Sequence, residues 1–398
     1  MEHKAQDRRL RKPSTCISQN REEISVLDHS IEIKWTEPVL LAFYTNSLVP
    51  RLIQPGSREQ YHDPGHISSL MRMSETVRYA TMACSAMSLC GNFSKDPNWN
   101  RGMRRQALSY QASAIKSIQA QIKAGVVDGT EDWLLLAATK LHLTDTLDHN
   151  TTNPIAHMQS LMILLRCRHI ARLQLPKDSP PPKESLIQER ICYEAALCHA
   201  ITLMLFDRDF DMIDQPWWFV VDEYFQSTLL STAFSEKCWP ILGMPYELFR
   251  LALLAHSLNR RCALSSKDKD TAVDALVELE MWNGHIPHIG KFAAGYTWLI
   301  ATTALLRHVL SRGGNDMPET PKEPKVDIQD VVTNLDAGGY FVRFPLWPLA
   351  VLYRVTEVPS EREVLKGLIS NALRNVSCSA SRPPPREVVN LYLIAPGL

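Results

Sequence analysis

Between Thr36 and Asn375 the long apolar stretches of this chain repeat at i, i+3 and i+4, and no run alternates apolar and polar residues as a half-buried strand does. Each stretch is bounded by helix punctuation. Thr36-Glu37-Pro38 reads as an N-cap followed by a first-turn proline, leading into VLLAFYTNSLVPRL, which Pro50 is expected to close. ISSLMRMSETVRYATMACSAMSLC reads as one long helix rich in small residues. After SKDPNWN, the segment RGMRRQALSYQASAIKSIQAQIKAG stops at Gly125. Acids at 131 and 132 open the next helix, where the helix dipole favours them, and Asn153-Pro154 opens another. LIQERICYEAALCHAITLMLF follows a proline-rich loop, and helices resume at Pro245, Asp268 and Phe292 around a less regular region at 207–242. A final helix is expected over EREVLKGLISNALRN. The spacing therefore predicts an all-α fold: a large multi-helix bundle of antiparallel helix pairs, solenoid-like, with one helical domain over 36–398. Residues 1–35 read as a mobile polar arm. Its basic cluster, Lys4, Arg8, Arg9, Arg11 and Lys12, is a candidate import signal or phosphate-contacting arm, and a solvated tail is the bland alternative.

Charge and cysteine usage exclude several classes. The 398 residues carry 43 basic and 43 acidic side chains, and this balance argues against a body that coats nucleic acid non-specifically. Nine cysteines are scattered, odd in number and without two-residue spacing, which fits reduced core thiols and an intracellular setting, nucleus or cytoplasm, and not secretion. The charged N-terminus lacks the apolar core of a signal peptide, and the apolar runs are too short to span a bilayer, so no membrane association is expected.

Catalytic signatures are absent. No glycine-rich turn ends in Gly-Lys-Ser/Thr, no strand precedes a dinucleotide fingerprint, and no nucleophile elbow occurs. His142, Asp145 and His149 fall near one helix end, where two histidines and an acid are a metal pattern, but the spacing is loose and no metal or cofactor is expected. Asp207, Asp209, Asp211 and Asp214 resemble a magnesium-binding acidic cluster, except that Phe210 and Met212 interleave with the acids as in a surface loop. His199 and His256 lie in apolar helices and read as satisfied core histidines. Trp217 and Trp218, beside Pro216, read either as pocket or partner anchors or as core. The late run FPLWPLAVLYR, residues 344–354, reads as a packing motif: prolines at the approach and first turn of a helix, with Trp347, Leu349, Val351 and Leu352 docked in the core.

Several of these segments together resemble the fungal-specific transcription factor domain family, the helical regulatory region of zinc binuclear cluster regulators. EPVLLAFYTNSLVPRL is similar to the family's opening helix and TVRYATMACSAMSLCGNF to its small-residue helix. ALSYQASAIKSIQAQI and TEDWLLLAATKLHLTDTL resemble the two helices that follow. IAHMQSLMILLRCR places His157 at the family's histidine position, with Gln159-Ser160 where Gly-Ala is usual. GMPYELFRLALLAHSL and FPLWPLAVLYRV resemble two later motifs, with Val351 in place of a glycine. The resemblance implies a transcription-regulator-like protein controlling a fungal metabolic or secondary-metabolite gene set. It would act through a protein partner, such as a DNA-binding regulator, or through a small-molecule effector, with His157, Trp217, Trp218 and Trp347 as candidate pocket residues. Only Cys16 stands in the N-terminal arm, so direct DNA binding by a zinc cluster is not expected. Two alternatives stay open: a biosynthetic enzyme or small-molecule-binding protein on the same fold, using Asp207–Asp214, His142 or His157, and a scaffold that dimerises with a zinc-cluster regulator.

Overall fold

The computed structural model describes residues 36–53, 57, 61, 63, 65–90, 96–148, 154–174, 182–225, 239–283, 293–312, 331–332, 346–376, 389 and 393–394. The N-terminal arm with its basic cluster, His149, and Arg343 to Pro345 lie outside the described residues. Among the described residues the structure is all-α, with no strand.

Helix α1 (Glu37–Phe43) begins after Thr36 with Pro38 in its first turn. It does not end before Pro50. A π-helical turn over Tyr44–Leu48 carries it into α2 (Val49–Leu52), and the Val49 amide reaches back to the Tyr44 carbonyl. The wider turn fits the chain to a residue that has no N–H of its own. The stretch expected as one long helix is two, α3 (Gly65–Met73) and α4 (Glu75–Leu89). Ser74 separates them in extended conformation (φ −130°, ψ 113°), its hydroxyl accepting from the Val77 amide. A serine followed by an acid caps a new helix better than it continues an old one.

Helix α5 (Pro97–Lys123) starts four residues earlier than expected, because Asp96 caps it through the Asn98 amide at 2.8 Å and Pro97 fills the first position. It ends at left-handed Gly125 (φ +68°): the Gly125 amide bonds the Ile122 carbonyl and the Val126 amide bonds that of Gln121, a Schellman closure. Helices α6 (Asp132–Asp148), α7 (Pro154–Leu173), α8 (Lys183–Phe206) and the short α9 (Trp218–Tyr224) follow. The remainder comprises α10 (Tyr246–Arg260), α11 (Ser266–Asn283), α12 (Ala293–Ser311), α13 (Leu346–Val355) and α14 (Pro359–Val376).

Helix α4 is buried along nearly its whole length because its alanines, serines and threonines let α1, α3, α5 and α6 approach closely. These helices enclose one apolar cluster. A larger cluster gathers side chains of α7, α8, α10, α12, α13 and α14. Helices α6 and α8 serve both clusters: Leu135 and Tyr193 face the larger one, while Leu136, Leu141 and Ile191 face the other. This is why α6 and α8 bury side chains on all sides and present no single apolar stripe.

A buried charge cluster fastens these two helices to α7. The Arg168 guanidinium, 6% exposed, donates to Asp132 Oδ1 at 2.7 Å, to Glu189 Oε2 at 3.0 Å and to the Thr130 carbonyl. Arg172 meets the same Glu189 oxygen at 2.5 Å. Complete pairing of this kind is what makes buried charge tolerable.

Candidate functional site

The π-helical turn at Tyr44 and helices α2, α3, α6, α7 and α8 leave a cavity of ≈ 90 Å³ between them, several times the about 10–15 Å³ that one water needs. Its wall is mostly aliphatic, from Val49, Leu52, Ile53 and Ile67 on one side to Leu143, Leu161 and Ile191 on the other. Ile241 closes part of it, and its position is set by a buried acid. Glu194 accepts from the Ile241 and Leu242 amides at 2.8 and 2.9 Å, and pairs with Arg190 at 2.9 Å. Arg190 in turn lies over the rings of Trp239 and Tyr61, and Tyr61 is itself in the cavity wall.

The polar side chains in the wall divide into two sets. Thr139 donates to the Leu135 carbonyl at 2.8 Å and Gln188 to Cys192 Sγ at 3.1 Å, so both serve the local helix. The His142 and His199 rings meet edge to face with centroids 4.5 Å apart, and His199 Nδ1 lies 3.4 Å from the Thr146 hydroxyl. Lys140 is different. It is 7% exposed, and its Nζ sits 4.5 Å from the centre of the Tyr44 ring, both residues belonging to the wall. No aspartate or glutamate is among the described residues that line the cavity.

The energetics single this lysine out. Burying an ammonium disfavours its charged form by several kcal/mol, whereas a desolvated cation–π contact returns about 2 kcal/mol. The Lys140 ionisation is nonetheless held above its ordinary value: burial, the largest single influence, works against the charge, and Tyr44 and Cys84 beside it work the other way and together outweigh it. Burial pushes the Tyr44 hydroxyl up, so near neutrality the group facing Lys140 is an uncharged phenol. Among the described residues the cavity thus holds a cation and no carboxylate.

Of the residues singled out from sequence, His142 and His199 line the cavity, whereas the tryptophans do not. Trp217 is buried in the larger cluster and Trp218 packs half-buried against it. Trp347 is 1% exposed, stacked on Trp298 with ring centres 4.6 Å apart. Its Nε1 donates to His256 Nδ1 at 3.1 Å, while His256 Nε2 lies 3.2 Å from the Met204 carbonyl, so His256 is a satisfied neutral core histidine. None of the three tryptophans lines the cavity. His157 falls in the first turn of α7, and its side chain lies outside the described residues. Asp145 accepts from Gln111 Nε2 at 2.6 Å. Asp207 accepts from the Asp209 and Phe210 amides, and Asp211 from the Ile213 amide and the Ser257 hydroxyl, the work of turn and cap residues. Among the described residues no group of three or more His, Cys, Asp or Glu could hold a metal ion.

The family model for the fungal-specific transcription factor domain matches residues 39–251, more than half of the chain. The chain belongs to that family. No curated protein and no solved structure matches it. Every residue of the cavity wall, from Tyr44 to Ile241, falls inside the matched part of this fungal transcription factor domain. The Trp347 segment lies beyond it. Among the described residues of the domain, no helix is long and apolar enough to cross a membrane.

Lys140 was open to sequence reasoning through one signal. It interrupts WLLLAATKLHL, a stretch with no polar face through which a lysine could reach water.

Proposed function

We propose that this chain is a nuclear, transcription-regulator-like protein that senses a small effector in the cavity and acts on a fungal metabolic gene set through a protein partner that reads DNA. The supporting observation is the family match over 39–251, which takes in every element that walls the cavity. The hydrogen bonds made by Asp207 and Asp211 favour this reading over catalysis by the acidic cluster.

The test is a reporter assay with the full chain fused to a heterologous DNA-binding domain, together with transcript and metabolite levels in a deletion strain. A regulator changes reporter output, and its deletion shifts the transcripts of a gene set. Steady transcripts with loss of a late metabolite would instead make the chain an enzyme and overturn the proposal.

A further inference from the structure

We propose that the cavity takes a small aliphatic carboxylate, whose negative charge is met by the Lys140 ammonium and whose chain is covered by the surrounding aliphatic wall. The inference rests on the reading of the cavity as an effector site and adds the chemical class of the effector. Lys140 is more than nine-tenths buried, and among the described residues no carboxylate lies within 4.0 Å of its Nζ. The side chain beneath it, Tyr44, is fully buried and lends only a ring face and a phenol.

The wall decides what can complete this pairing. Thr139 and Gln188 are already committed to their own helices, and the two histidines lie against each other. One cation with few free donors suits a monoanion. A phosphate carries more charge and more acceptor oxygens than a single ammonium satisfies, and phosphate sites commonly supply arginine forks, none of which is among the described residues that line this cavity. The aliphatic part of the wall includes Val49, Leu52, Ile67 and Ile191, which suits a short branched or straight hydrocarbon chain. A neutral apolar ligand would leave the ammonium as it is.

The test uses the full chain and a matched pair of probes, isovalerate and isovaleramide, which differ in charge and hardly in shape. Thermal unfolding and calorimetric titration are expected to show isovalerate raising the unfolding midpoint with dose, and binding at least about tenfold more tightly than the amide. Lys140→Met is expected to remove that preference, with a ligand-free midpoint no lower than that of the unaltered chain, since exchanging a poorly paired buried charge for an apolar side chain does not weaken a fold. Equal binding of the two probes, no shift with isovalerate at tens of millimolar, or a preference that survives Lys140→Met would overturn the proposal. A Lys140→Met chain that cannot fold also counts against it, because the lysine would then serve the fold. Binding is read without any reporter, which separates the two claims. A chain that prefers isovalerate and drives no reporter keeps this site and loses the regulatory role; reporter activity without charge preference does the reverse.

Discussion

Trp347 shows how much one side chain can do that its neighbours in sequence do not announce. The FPLWPLAVLYR segment was expected to pack, and α13 buries Leu346 through Leu352 without interruption, leaving Arg354 exposed. What the segment could not specify was the partner. Trp347 stacks on Trp298 from α12 and donates to His256 from α10, so three helices meet at one indole. Trp347→Ala should lower stability by about 3–5 kcal/mol through lost burial and an incompletely filled cavity, measured as a fall in the urea midpoint. Trp347→Phe should lose clearly less, keeping an aromatic ring against Trp298 while forfeiting the bond to His256. Equal losses for the two variants would show that the stacked ring contributes nothing. Lys140 is the opposite case: its charge was visible in the sequence, but its value depends on the absence of an acid opposite, and that absence is a fact of three dimensions.

At the scale of the element, helix ends were legible where glycine, proline and aspartate act locally. Gly125 was expected to stop α5 and does. Ser74 and Pro50 went the other way: Ser74 caps a new helix through the Val77 amide, and a π-helical turn carries the chain past Pro50. Two positive-φ glycines differ in how far their backbone lies from the left-handed well. A methyl at Gly125 meets nothing within 4 Å, so Gly125→Ala should cost only the left-handed backbone penalty, about 1 kcal/mol. At Gly129 φ is +92°, farther from the left-handed well near +57° than at Gly125, and a methyl would meet Cys167 Cβ only in ordinary contact at 3.4 Å. Gly129→Ala should therefore lower the thermal midpoint more than Gly125→Ala does, and side-by-side melting curves decide the order.

Across the whole molecule, α6 and α8 join the two apolar clusters, so a defect in one should be felt in the other. Leu136→Ala lies in the cluster around α4, and its expected loss is about 2–5 kcal/mol. Urea unfolding followed by far-UV circular dichroism and by tryptophan fluorescence should shift as one for this variant. Separate transitions, with the Trp298 and Trp347 region unaffected, would show two independently stable cores. The amino-acid sequence alone determined that the chain is all-α, where most helices begin and end, and which family it resembles, because helical spacing and capping are short-range and need no knowledge of distant residues. Which helices share a core, that Trp217 and Trp347 lie in the larger apolar cluster, and that Lys140 faces a cavity lined by no described acid were decided only by the tertiary structure. Each depends on what lies opposite a side chain, often a hundred residues away along the chain, and local pattern carries no record of that.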